Sequence, residues 1–302
     1  MKNCSWMATE RFFEGVQHAK NYATFRPRPP EQLTERIVAY LKEKYEGQLD
    51  LCVDVGCGNG QCSTPFAHHF HQVLATDVSS AQIQVANALV HPVNVEFRNC
   101  TAESIPATAG STQLVNASTA AHWFNLPAFF QEANRVLCSN GVIALSSYGL
   151  ASHVFIRPTK SAELHQALVH VCYGELNVFP SQTNNNVWNI LKFYCERLGS
   201  FWGTGNRHVY DEYANIVVPF AEITREEFWT EEVSTTLAEI AALLETAGPY
   251  QNYCRSKGDA AGCELLDEFI TNCQRVLETQ EQPERLKLKW KRKYFLIMGR
   301  KP

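Results

Sequence analysis

Eight residues, Val53-Asp54-Val55-Gly56-Cys57-Gly58-Asn59-Gly60, constrain this chain more than any others. Leu51 to Val55 is a short apolar run with β-branched residues, and it reads as a central strand covered on both faces. It runs directly into three glycines at alternate positions, which permit positive φ and a close approach of backbone to a ligand. From Gln61 to Phe70 the only breaker is Pro65, which predicts a helix with that proline in its first turn and its N-terminus behind the glycines. Strand, glycine loop and helix in this order predict a cofactor site.

The glycine spacing selects among ligands. A dinucleotide loop runs G-x-G-x-x-G to make room for a pyrophosphate. Here the pattern is G-x-G-x-G, Asp54 stands two residues ahead of the first glycine, and no lysine follows. That favours a ligand without phosphate. Seventeen residues after Gly60 the apolar run Gln72 to Thr76 ends at Asp77. An acid closing the second strand of a doubly wound sheet accepts hydrogen bonds from ribose hydroxyls. Loop and acid together predict a nucleoside site.

The following segments alternate as such a sheet requires. Ser79 or Ser80 can cap a helix running to Val90. Strands are predicted at Val93 to Phe97, Thr112 to Asn116 and Val142 to Ser146, with a helix from Asn125 and Pro127 to Leu137 and a Ser139-Asn140-Gly141 turn. Towards the end, Ala221 to Trp229 has strand character, Ser234 to Leu244 reads as an apolar helix, and Tyr294 to Met298 as a buried strand. Arg285 to Lys293 alternates apolar and basic residues, which predicts a strand with one solvated face. Ahead of the core, Glu31 to Tyr45 carries Leu33, Ile37, Val38 and Leu41 at helical spacing.

Taken as a set, the acid, the G-x-G-x-G loop, Asp77, Ala102-Glu103-Ser104-Ile105-Pro106 and His122-Trp123-Phe124 resemble the class I S-adenosylmethionine-dependent methyltransferases. The Tyr22-Ala23-Thr24-Phe25-Arg26-Pro27 lead-in and the His-Trp pair resemble, more narrowly, the trans-aconitate methyltransferase group of small-molecule carboxyl methyltransferases. The resemblance covers roughly residues 20 to 150 and is faint beyond. It implies an α/β fold, Rossmann-like, with a doubly wound, seven-stranded, mostly parallel sheet, its last strand antiparallel beside the fifth, and a helical lid insertion. The matching division is a helical cover at 1–45, the cofactor core at 46–150, the lid at 151–217 and sheet-completing strands and helices at 218–302.

The same resemblance implies roles for single residues and S-adenosyl-L-methionine as cofactor. Asp54, Gly56, Gly58 and Gly60 face the methionine end, Asp77 with Val78 the ribose, and Thr101, Ala102 and Glu103 the adenine, with Asn116 also against the cofactor. Family members commonly carry an acid where Thr101 stands, so a hydroxyl or the backbone has to read the adenine amino group here. His122, Tyr22 and Arg26 are implied at the transfer site, Tyr22 also touching the cofactor. The activity implied is methyl transfer to a small metabolite, a carboxylate by the narrower likeness. If the acceptor is an amine, thiol or hydroxyl, His122 is the natural base. If it is a carboxylate, Arg26, Arg28, Arg157 and Arg207 are available to orient it. A cofactor-binding protein without turnover and a nicotinamide-dependent oxidoreductase remain as other readings.

Composition excludes some partners. A formal charge of -4 gives no general attraction to nucleic acid, and no apolar run approaches the roughly 18 residues of a membrane span. The N-terminus lacks a signal-peptide core, so a cytoplasmic location is expected. Eleven cysteines without a C-x-x-C pair suggest free thiols and neither a zinc cage nor a complete disulfide framework. His68, His69 and His71 read as a solvated helix end, so no metal is expected.

Overall fold

The computed structural model describes residues 28–148, 154–155, 201, 208–209, 212–231 and 233–302. In chain order these form α1 (Glu31–Lys42), β1 (Leu51–Val55), a 3-10 helix (Thr64–His68), β2 (Gln72–Asp77), α2 (Ser80–Ala88), β3 (Val95–Asn99), β4 (Thr112–Ser118) and a second 3-10 turn (Ala121–Trp123). Then come α3 (Leu126–Val136), β5 (Leu137–Tyr148), β6 (Val154–Phe155), β7 (Ala221–Trp229), β8 (Val233–Thr236), α4 (Leu237–Glu245), α5 (Gly248–Lys257), α6 (Asp259–Val276), β9 (Lys287–Lys291) and β10 (Lys293–Arg300).

Seven strands form one sheet in the order β3-β2-β1-β4-β5-β10-β7. The first five are mutually parallel, and β10 runs antiparallel to both β5 and β7. The predicted fold class is therefore the observed one. Because side chains alternate across a strand, the sheet feeds two cores. Cys52, Val73, Leu114, Ala144 and Leu296 point to the side covered by α1 and α2. Val53, Leu74, Val115, Leu145 and Phe295 point to the other, where α3 contributes Phe129, Ala133 and Val136. Both faces being covered is why β1 reads as a continuous apolar run rather than an alternating one.

Chain order reverses between β1 and β4, since β1 leads outward through β2 to β3 before the chain returns to β4 on the other side. That reversal opens a crevice at the carboxyl ends of the strands, the position where ligands bind in open α/β sheets.

Three expectations are corrected. The helix predicted over Gln61 to Phe70 is a turn followed by the five-residue 3-10 helix Thr64–His68. Ser63, which could have capped an α-helix, instead donates its hydroxyl to Asp54 Oδ2 at 2.6 Å, and its amide and that of Thr64 both go to the Gly60 carbonyl at 3.1 Å. The loop thus has no long helix dipole behind it, which suits a ligand without phosphate better than one with it. At the far end of this segment His69 and His71 pair with Glu35 and Asp50 at 3.3 and 3.2 Å.

The segment predicted as one helix from Ser234 begins as β8, and the helix starts only at Leu237. Thr236 and Glu239 form a reciprocal capping box, which fixes that boundary. The basic strand exists as β9, but it lies in a separate three-stranded sheet of order β6-β9-β8. That sheet and α4 to α6 enclose a core of their own, including Leu237, Ile240, Tyr253, Leu265, Phe269 and Leu288. The predicted helical cover before residue 28 and most of the predicted lid lie outside the described residues.

Candidate active site

The glycine loop closes the crevice between β1 and β4. Gly56 and Cys57 both donate backbone N–H to the Thr76 carbonyl, at 2.7 and 2.9 Å, which splices the loop onto the end of β2. Gly56 has φ of 71°, and a Cβ there would stand 2.5 Å from the Cβ of Ala120. Gly60 has φ of 86°, and a Cβ would meet the Phe97 ring at 2.5 Å. A side chain at either position thus faces both backbone strain and a collision.

Asp54 stands beneath this loop, buried, with both carboxylate oxygens engaged. Ser63 Oγ donates to one at 2.6 Å and Asn116 Nδ2 to the other at 2.6 Å. Burial pushes the carboxyl up to about 6, against the opposing effect of those two donors. Asp54 therefore braces β1, β4 and the turn after the loop, in addition to any contact with a ligand. Three buried polar atoms near the strand ends have no hydrogen-bond partner: Asn59 Nδ2 in the loop, Asn116 Oδ1 beside Asp54, and Gln82 Oε1 in the first turn of α2. Leaving such groups unpaired costs about 1–3 kcal/mol each, so they fit a ligand that hydrogen-bonds along its length. A nucleoside bearing an amino-acid tail is such a ligand.

Asp77 is the second acid. Its Oδ2 accepts from Gly58 N and its Oδ1 from Ser79 N, each at 2.8 Å. Burial raises its carboxyl, while the two amides pull it back down. Val78 beside it is 45% exposed, a surface a ribose or base can cover. The Cys100 amide and the Asn99 side chain both bond to the Asp77 carbonyl, which ties the segment carrying Thr101 and Ala102 to the same corner. Thr101 is exposed and Ala102 buried. Glu103 accepts from the Asn125 amide at 2.9 Å and so holds the start of α3.

This geometry has close counterparts. The description "Methyltransferase domain" matches residues 53–145, which run from β1 to β5. A Dictyostelium discoideum protein named as a methyltransferase is 32% identical over 210 residues, 68% of this chain and 66% of its own length. Saccharomyces cerevisiae CRG1, named as an S-adenosylmethionine-dependent methyltransferase, is 25% identical over 93% of this chain and 95% of its own. The solved structure of a protein from Anaeromyxobacter dehalogenans, named as a type II methyltransferase, superposes with a TM-score of 0.64 at 25% identity, over 91% of this chain and 98% of that one.

The chain belongs to the class I S-adenosylmethionine-dependent methyltransferases. Its methyl donor is accordingly S-adenosylmethionine, and the loop, Asp77 and the unpaired atoms Asn59 Nδ2, Asn116 Oδ1 and Gln82 Oε1 are described groups suited to hold it.

The transfer-site residue implied by the family resemblance, His122, lies where β4 and β5 end. His122 is buried in the Ala121–Trp123 turn, its Nδ1 2.8 Å from the Tyr213 hydroxyl. At the ends of β4 and β5 hydroxyls pair across the strands: Ser146 donates to Ser118 at 3.1 Å and Ser147 to Thr119 at 3.4 Å. Thr119 itself has φ of 55°, a strained value for a β-branched residue. Tyr22 and Arg26 lie outside the described residues. Of the predicted residues, Asp54, Gly56, Gly58, Gly60, Asp77 and Asn116 converge on the crevice and its loop.

Asn59, Gln82 and Tyr213 were not singled out by sequence. Asn59 sits within the glycine motif itself, and Gln82 follows Asp77 by five residues, so both carried a positional signal. Tyr213 carried none, because 91 residues separate it from His122.

Proposed function

We propose that this methyltransferase acts on the carboxylate of a small metabolite, forming a methyl ester, as the likeness to the trans-aconitate group suggests. The observation that carries the reading is the uncharged lining where β4 and β5 end. Ser118, Thr119, Ser146, Ser147 and Tyr213 offer hydroxyls, and His122 is the one imidazole among them. A carboxylate nucleophile arrives already deprotonated, so it needs donors to orient it and no strong base.

When bound, S-adenosylmethionine supplies an electrophilic methyl group on a sulfonium sulfur. The protein has then to hold a nucleophile in line behind that methyl and keep water out, which makes positioning the larger part of the catalysis.

A labelled-methyl screen over carboxylic acids, amines and thiols tests this. Base-labile incorporation into an acid is the expected result. Transfer only to an amine or thiol would refute it and move the reading to N- or S-methylation.

A further inference from the structure

We infer that Tyr213 is a positioning residue that holds neutral His122 as its Nε2–H tautomer, so that His122 faces the acceptor as a hydrogen-bond donor and not as a proton acceptor. The first part stands on the geometry of the protein alone. The second rests on the carboxylate reading above.

The phenol has one proton to place and three neighbours around it. Its oxygen lies 2.8 Å from His122 Nδ1, and the His122 amide and the Ser147 hydroxyl are its other hydrogen-bonding partners. An amide N–H can only donate, while the Ser147 hydroxyl sends its own proton to Thr119. At 2.8 Å the phenol O–H is the stronger donor and the imidazole nitrogen the strongest acceptor within reach, so the phenol proton goes to Nδ1. Burial pushes the phenol well above the ordinary tyrosine value, so that proton stays in place wherever the enzyme works. A neutral imidazole that accepts at Nδ1 carries its proton at Nε2.

The surroundings hold the tyrosine rather than the histidine to this arrangement. Glu212 and Tyr213 have φ of 51° and 59°, two consecutive left-handed residues without a glycine. Such strain persists only where neighbours over-determine it. Here the Tyr213 amide donates to the His208 carbonyl at 2.7 Å, its ring stands edge-on to Phe295 with centroids 5.0 Å apart, and Glu212 pairs with Lys293 at 2.8 Å. The ring is fully buried. A side chain placed at this cost for packing alone would not need its hydroxyl aimed at an imidazole.

Two measurements test the inference on the full chain. Long-range proton–nitrogen spectra of histidine-labelled protein, recorded where the imidazole is neutral and assigned with His122→Gln, should show Nε2 protonated and Nδ1 bare. Tyr213→Phe should move His122 to a mixture of tautomers while S-adenosylhomocysteine affinity stays within twofold, and Ser147→Ala provides a milder version should the phenylalanine variant fold poorly. A proton on Nδ1 in the wild type, or an unchanged spectrum in both variants, would overturn the positioning role. For the donor role, the glutamine amide nitrogen can stand where Nε2–H stands, so His122→Gln should keep acid methylation within about tenfold and His122→Asn should lose more. A loss of roughly 10²–10⁴-fold in the glutamine variant would identify a base instead. If no acid is methylated at all, the carboxylate reading and the donor role fail together, while the spectra still decide the tautomer.

Discussion

Asn116 donates through Nδ2 to Asp54 Oδ1 across 2.6 Å, and this one bond joins the two strands flanking the crevice, β1 and β4. The bond has a thermodynamic signature. Burial puts the Asp54 carboxyl at about 6 in the folded protein, against an ordinary value of 3.8. The native state therefore binds this proton more tightly than the unfolded chain does, and stability falls as pH rises through that window. The difference of roughly two pKa values corresponds to about 3 kcal/mol at most. Asp54→Asn removes the titration, and a turn of the Asn116 amide, whose Oδ1 is otherwise unpaired, restores the bond. Denaturant unfolding of the free protein across this range should slope downward with pH more steeply for the wild type than for Asp54→Asn, in which the raised Asp77 carboxyl still contributes.

Gly56→Ala tests the loop. The added methyl must share space with the Ala120 Cβ at 2.5 Å while the backbone stays at φ of 71°. An expected loss of roughly 1–3 kcal/mol in unfolding free energy should accompany loss of S-adenosylhomocysteine binding by calorimetry. Retained affinity in a folded Gly56→Ala protein would mean that the loop does not line the cofactor.

Asp77 has two tasks, since it bonds the Gly58 and Ser79 amides as well as facing the predicted ribose position. Asp77→Ala should weaken cofactor affinity by about a hundredfold or more, as loss of charge-assisted bonds worth about 1.5–3 kcal/mol each predicts. Asp77→Asn keeps one acceptor for the amides and should fall between. Undiminished affinity in Asp77→Ala would show the ribose to be elsewhere.

Arg300 provides a contrast at the opposite edge of the sheet. Its guanidinium is buried and donates to the carbonyls of Tyr40, Leu41 and Asn140, at 2.5, 3.3 and 3.0 Å, and to Glu222 at 3.2 Å. Arg300→Leu removes these bonds together, and although the Leu41 carbonyl keeps the Tyr45 amide and Glu222 keeps Lys44, it should cost about 1–3 kcal/mol in thermal or denaturant unfolding. Because β10 pairs Arg300 with Val142, six residues before the Tyr148 end of β5, cofactor affinity of the folded variant should match the wild type.

Much of the cofactor half was legible beforehand because its signals are local. A β-branched run, three glycines and an acid at a strand end are read within a few residues, and each has one dominant physical reason to be there. The same locality explains the failures. Pro65 looked like part of the first turn of a helix because nothing nearby showed that Asp54 would take the Ser63 hydroxyl. The Thr236–Glu239 capping box was present in the sequence, and weighing it would have placed the start of α4 correctly.

The sequence by itself determined the fold class, the class of cofactor and the acids and glycines that gather at the crevice, since backbone freedom and strand burial demand particular residue types at fixed short spacings. Only the tertiary structure decided that Asp54 is braced by Asn116, 62 residues away, and that His122 is held by Tyr213, 91 residues away. Those partners are set by strand order and by a strained turn packed on Phe295, and hydrogen bonds across such distances leave no periodicity in the chain to read.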